Sequence, residues 1–468
     1  MLLNFSTSEV KGLFWLRLAY FSFLLVLFFL CRRLRLERIL APVVGGIALI
    51  LFVYGVFQKF LIFPRILEQA ASGHSFYAQA LRIRIASGRI FAIFALPTLY
   101  AMICGLLLIF IVHYFYHSRG WARTFWALLF LLGGFNLVLT QSFGGILFFA
   151  AGSLFYLFSS RIFKVKFLAP LLMVLALVLF LVTALRFSEA RELAPARLRL
   201  ANWAQAGRLI EQAPLLGVGL GNYETAVPPH VRRSEPASIY AHNFFLQLAA
   251  ETGVPLFLLL AVVFLAWLKR NMSGFLKAEN AVFAGACILI LFFNMFDVGS
   301  FFLAAGVSLA VALSQVARME RPARLHNFVA AALLAAVLLV QAYAADRQKS
   351  GDLWLSQGDP ARAEALYKDS LRFNPHSYRA WLGLAHIARQ RGDRMAADRA
   401  LRKVLEIHPG QPYANYLLSV SSWQRGAYLT ALFHARCAAR ANRRNKEYQR
   451  WHEVVQGNFS LQPPRPGN

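Results

Sequence analysis

Acidic residues are scarce in this chain, and charge of any kind is thin. Only 22 Asp and Glu stand against 49 Lys and Arg among 468 residues, and charged residues make up 15% of the whole. So little charge beside 58% hydrophobic residues excludes an ordinary water-soluble domain and points to a polytopic membrane protein. Cysteine is scarce too. Cys31, Cys104 and Cys287 lie in or beside apolar runs and Cys437 stands alone, which excludes a disulfide framework and any Cys/His metal spacing. No metal and no cofactor are expected. The net charge of +27 would suit nucleic acid in a soluble chain, but in a membrane protein basic residues first serve topology and anionic lipid or substrate, so no nucleic-acid partner is expected.

What is there is a series of apolar runs. Ten are long enough to cross about 30 Å of hydrocarbon: 12–30, 40–62, 90–112, 124–140, 143–159, 167–186, 254–268, 280–296, 299–317 and 327–345. The first resembles a signal peptide, yet no small-x-small cleavage site follows and CRRLRLER comes next, so it reads as a span with Arg17 snorkelling to the interface. The basic connections CRRLRLER, HSRGWARTF, SSRIFKVKF, LKRNMSGFLK and ARMERPARLH alternate along the chain, and the positive-inside rule places all five in the cytoplasm. The fold class expected is all-α: a bundle of about ten transmembrane spans, a long outer loop, and a soluble helical tail. The domains read as 1–186, first transmembrane bundle; 187–253, outer loop; 254–345, further spans; 346–440, repeats; and 441–468, a basic helix and disordered end.

The outer segments carry an anomaly. Arg65, Arg82, Arg84 and Arg89 lie in one, and Arg186, Arg191, Arg197, Arg199, Arg208, Arg232 and Arg233 in another, where topology does not need them. Two readings stand: lipid-headgroup anchors on a solvated loop, or forks for the oxygens of an anionic substrate.

The tail has a period of 34. SQGD at 356–359 returns as RQRGD ending at Asp393, Gly426 follows Gly392 by 34, and Asn374-Pro375 is echoed by His408-Pro409. That period marks tetratricopeptide repeats, with Trp381, Leu384, Ala397, Leu401 and Pro409 at the expected packing and turn positions. Such repeats stack into a platform for protein partners. The run 327–345 sends this platform to the outer side.

Within the long loop, Leu198, Trp203, Ala206, Leu209 and Ile210 have helical spacing and predict an amphipathic helix on the membrane surface, with Arg199 and Arg208 on its polar side. PLLGVGLGNYE follows. Gly217, Gly219 and Gly221 fall one residue short of a dinucleotide fingerprint, so they read as a turn permitting close backbone approach. His242 precedes the helix FFLQLAAETG, with Asn243 as its cap. A lone histidine is usually structural; beside an arginine-rich loop at a membrane face it is also a candidate base.

These stretches in order, R-x-x-x-W, PLLGVGLGN and AHNFFLQLAAETG, with GVFQ at 55–58, GRIFAIFALPTLYA at 88–101, LTQSFGG at 139–145 and NMFDVGS around Asp297, resemble the O-antigen ligase and polymerase family of bacterial envelope glycosyltransferases over roughly residues 40–317. The resemblance implies an inner-membrane, metal-independent, inverting enzyme that moves a glycan from a polyprenyl (undecaprenyl) diphosphate carrier to a hydroxyl acceptor on the outer face. It implies His242 as general base, Arg89 and Arg199 as diphosphate contacts with Arg208 second, and Gly217, Gly219, Gly221, Asn243 and Asp297 in support. Asp297 either orients His242 or a sugar, or caps a helix. Two departures stand out. Relatives commonly have arginine where Phe143 lies, and they have about a dozen spans where six precede the long loop here, so a helix pair is missing or the natural start lies upstream. Rival readings are a polymerase, a protein O-glycosylating enzyme, a non-catalytic scaffold for the repeats, and a transporter; the near absence of charge within the spans speaks against the last.

Overall fold

The computed structural model describes residues 11–32, 34, 36–71, 85, 87–94, 96–161, 194–227, 240–317, 325–443 and 445–461. Every regular element among them is helical. The membrane part comprises α1 (Lys11–Cys31), α2 (Glu37–Phe57), α3 (Phe63–Ala71), α4 (Pro97–His117), α5 (Gly120–Leu139) and α6 (Phe143–Ser159). After the outer-loop helices α7 (Ala194–Gln212), α8 (Tyr223–Ala226) and α9 (Phe244–Thr252) come α10 (Val254–Phe275), α11 (Ala281–Phe296) and α12 (Leu303–Val316). Six helices among the described residues are long and apolar enough to cross a membrane, and α6 and α12 are shorter apolar helices. The run 167–186 lies outside the described residues.

Helix α4 is the axis of the bundle. Leu99 through Ile111 are buried along it, and it packs against α2, α5, α6 and α11. Proline at its first turn, Pro97, needs no intrahelical donor there. A helix apolar all round belongs in an interior. By contrast α10 exposes Leu258, Leu259, Val262, Val263 and Leu265, a continuous apolar surface that lipid must cover. Helices α6 and α11 cross closely because glycine faces glycine: a Cβ on Gly152 would lie 2.7 Å from the Gly285 carbonyl, and one on Gly285 2.7 Å from the Gly152 carbonyl. Small residues let membrane helices approach where side chains would hold them apart.

One π-helical turn, Gln58–Ile62, interrupts the path from α2 to α3. It turns buried Gln58 toward the irregular segment 88–94. The side-chain oxygen accepts from the Phe91 and Ala92 amides at 2.9 and 2.8 Å, and the amide nitrogen donates to the Ala92 carbonyl at 3.1 Å. An irregular backbone stretch is thereby satisfied by one side chain.

The tail begins inside α13 (Leu325–Ser356), a single helix of 32 residues that packs along α1. The boundary expected at 345/346 therefore falls within a continuous helix. No glycine, proline or cap lies between 327 and 350 to stop it, and its alanines and leucines favour continuation. The helix pairs follow: α14 (Pro360–Phe373) packs on α13, α15 (Tyr378–Gln390) on α16 (Arg394–Ile407), and α17 (Pro412–Gln424) on α18 (Tyr428–Ala441), before α19 (Lys446–Leu461). Tyr367 fills the gap between neighbouring helices where Gly351 and Gly383 leave no side chain in its way. The final helix starts at Lys446, with Asn442 and Arg443 in the preceding turn, and QPPRPGN lies outside the described residues.

Candidate active site

Asn243 starts α9 as a cap. Its backbone is extended and its Oδ1 accepts from the Leu246 amide at 2.9 Å, satisfying one of the helix's orphan donors. Its Nδ2 donates to the Met295 carbonyl at 2.8 Å, which ties the start of α9 to the end of α11. The residue before it, His242, has φ +51°, a left-handed conformation that costs a β-carbon-bearing residue roughly 1–2 kcal/mol. Its neighbours hold it there. Trp203 Nε1 donates to the His242 carbonyl at 3.2 Å, and the Phe244 amide donates to the Asp297 carbonyl at 3.1 Å.

This geometry places His242 Nδ1 3.2 Å from Asp297 Oδ1. Asp297 follows α11 and is 2% exposed, whereas the His242 side chain is 27% exposed. Burial by itself pushes the Asp297 carboxyl up. The His242 hydrogen bond and charge, the Val298 amide donating at 2.8 Å and Thr98 Oγ1 donating to Oδ2 at 2.9 Å outweigh it and hold the carboxyl below its usual range. An ionised carboxylate only accepts hydrogen bonds, so Nδ1 carries a proton toward it and Nε2 is the nitrogen left to face a substrate. A fixed, part-exposed imidazole with its basic nitrogen turned away from a buried carboxylate is the arrangement of a general base.

The three loop glycines surround a different acid. Glu251 is fully buried on α9; its Oε2 accepts from the Gly221 amide at 2.8 Å and its Oε1 from Gln247 at 3.0 Å. Burial pushes this carboxyl up, while the Arg17 charge, the Gly221 amide and Gln247 pull it down. The Gly219 amide donates to the Glu251 carbonyl and the Val218 amide to the Ala250 carbonyl, both at 3.0 Å, and the Gly217 amide to the Ala213 carbonyl at 2.9 Å. These amides are thus spent within the chain and cannot cradle a phosphate. Gly217, Gly219 and Gly221 all have positive φ, of 66°, 94° and 79°, so the turn needs glycine for its shape.

The arginines divide. Arg89 Nε donates to the Thr140 carbonyl at 2.9 Å, joining the segment that leads to Thr98 with the turn before α6; Phe143 is the first residue of that helix. Arg199 is half-buried on α7, one turn before Trp203, the residue bonded to His242. Arg208 lies further along the same helix, where its charge acts on Tyr223, away from the histidine end. Part of the α7 stripe is covered by protein: Ala206 and Leu209 are buried against Tyr223, Val227, Ala241 and Ala250, while Leu198 stays exposed. Arg17 reaches the turn after α11, donating to the Phe301 carbonyl at 3.1 Å with its guanidinium 4.4 Å above the Phe301 ring. Arg82, Arg84, Arg186, Arg191, Arg232 and Arg233 lie outside the described residues.

Sequence reasoning missed the roles of Thr98, Gln58, Gln247 and Glu251, and the Phe301 contact of Arg17. Two of these residues left a signal: Gln247 and Glu251 are polar residues four apart on a largely apolar helix, a spacing that puts them on one face. Thr98 left none, since only folding brings it to Asp297.

The bundle of apolar helices thus brings a part-exposed histidine against a buried carboxylate just beyond the end of α11. Residues 126–261 match the family model described as O-Antigen ligase, which spans α5 to the start of α10 and includes His242, and residues 355–420 match a tetratricopeptide repeat model. The chain thus carries an O-antigen ligase region followed by tetratricopeptide repeats. Among curated proteins none matches the chain. These findings support a multi-pass inner-membrane, glycan-handling enzyme of surface-polysaccharide assembly, in contact with lipids and, through its repeats, with proteins.

Proposed function

We propose that the protein transfers a glycan from a polyprenyl diphosphate carrier to a hydroxyl acceptor at the outer face of the inner membrane. The observation that carries this reading is the Thr98–Asp297–His242 chain of hydrogen bonds, whose histidine lies within the region 126–261 that matches the O-antigen ligase model. His242 Nε2 would take the acceptor proton as the acceptor oxygen bonds to the anomeric carbon; the bond from that carbon to the diphosphate breaks, its electron pair leaving on phosphate, and the anomeric configuration inverts. Diphosphate leaves readily, so the reading calls on no metal or nucleotide. Arg89 and Arg199 would neutralise the departing phosphate, a fork suited to its oxygens, with Arg208 in second place.

Asp297 keeps the imidazole in the productive tautomer and stabilises the imidazolium as it forms, which a neutral side chain would not do. In this reading the repeats lie on the outer side with the loop, which the pairing of Arg379 on α15 with Glu224 on α8 supports. His242→Ala should reduce surface polymer by about 10²- to 10⁴-fold at unchanged protein level, read on gels from a deletion strain carrying the variant. Normal polymer from that strain would end the base assignment. The lipid-linked intermediate accumulating in the deletion strain then names the acceptor step: finished long chains for a ligase, single repeat units for a polymerase.

A further inference from the structure

The repeat region touches the outer-loop helix α8. Arg379 lines a cavity of about 290 Å³ in the repeats together with Asp352, Tyr367, His386 and Tyr413, and its guanidinium also pairs with Glu224. Glu224 is on the single-turn helix α8, whose Tyr223 packs with Val227, Ala206, Leu209 and Ala241 in one small apolar core. Ala241 immediately precedes His242. A carboxylate held by the repeats is therefore connected, through side chains in contact, to the backbone that presents the base. Tyr240 stands on the same path. Its ring is 5.7 Å from Phe302, and Glu224, Arg379, Arg17 and Asp297 all lie close enough to act on its hydroxyl.

We infer that Arg379 is a positioning residue for the transfer site: by holding Glu224 it fixes α8 and the Ala241–His242 segment packed behind it. The repeats then form part of the catalytic unit as well as a platform for partners. His242 is held in a strained left-handed conformation, and such a conformation persists only while its surroundings over-determine it. The pair is roughly half-exposed, so it acts as a modest brace whose loss loosens the site without unfolding it.

This inference rests on the transfer reading, and the test separates the two. In the deletion strain, Arg379→Glu and Glu224→Arg should each lower surface polymer per unit of protein by about five-fold, while Arg379→Lys retains most of it. The double exchange should return polymer to within about two-fold of wild type, a rescue that a general stability defect would not give. Wild-type polymer from Arg379→Glu overturns the proposal. So does a double exchange no better than the single variants. A second measurement is independent of activity: with Cys437→Ser as background, cysteines at 224 and 379 should be joined in membranes by a bis-maleimide reagent long enough to replace the Glu and Arg side chains, and failure to cross-link overturns the contact. If His242→Ala keeps its polymer, the transfer reading fails, while the cross-link still decides whether the repeats dock on α8.

Discussion

The glycines of the repeats and those of the outer loop share a conformation and differ in everything around them. Gly358, Gly392 and Gly426 have φ of 85°, 78° and 75°, and a Cβ at any of them would meet nothing within 4 Å. Gly217 and Gly253 have φ of 66° and 79°, yet a Cβ on Gly217 would lie 2.5 Å from the Gly253 amide and one on Gly253 would strike the Leu215 carbonyl. In the repeats, glycine serves one local backbone angle, three times over. In the loop it also makes room for a second stretch of chain. The first requirement recurs with a period and is visible in sequence; the second exists only once 213–221 has folded onto the end of α9.

The sharpest test of that contrast lies at the acid behind the histidine, where the loop's folding has a chemical purpose. Asp297→Asn keeps the size but loses the charge that fixes the His242 tautomer, and polymer should fall by about 10²-fold with protein level unchanged; an unaffected strain would make Asp297 a helix cap only. The same variant has a signature in acid. The folded Asp297 carboxyl sits below its usual range, so its stabilisation is fully present above about pH 4 and is lost as pH falls through the lower folded value. Melting of the purified Asn variant should lack that acid-dependent component.

Next in size is Gly253→Ala, which combines a positive φ with a backbone collision and should cost more than about 2 kcal/mol, read as a lower melting temperature together with lost polymer. Gly392→Ala meets the angle without the collision. It should cost about 1–2 kcal/mol, seen as earlier melting of the repeats with little change in polymer. Equal losses at the two positions would erase the distinction between them.

How far the site could be read from the chain follows the same division. His242 beside the cap Asn243 was legible, because a cap is a short-range device: Asn243 needs only the Leu246 amide three residues on. That Asp297 orients the histidine was open, since 55 residues separate the two. Thr98 was hidden altogether, 199 residues from the carboxylate to which it donates. The partners of the α7 stripe were hidden for a related reason. An apolar stripe announces that it will be covered and is silent about what covers it, and here folding supplies protein over Ala206 and Leu209 and leaves Leu198 exposed.

The sequence by itself determined the helices, most of the apolar runs, the 34-residue period and the turns that only glycine can make. These depend on hydrophobic periodicity and on backbone angles within a few residues, which act before any long-range contact exists. Tertiary structure alone decided that Arg17 meets the Phe301 carbonyl, that the loop amides are consumed by Glu251 and its neighbours, and that Arg379 reaches Glu224 across 155 residues. Each of those pairings depends on which helix faces lie together, and packing settles that only when the whole bundle has formed.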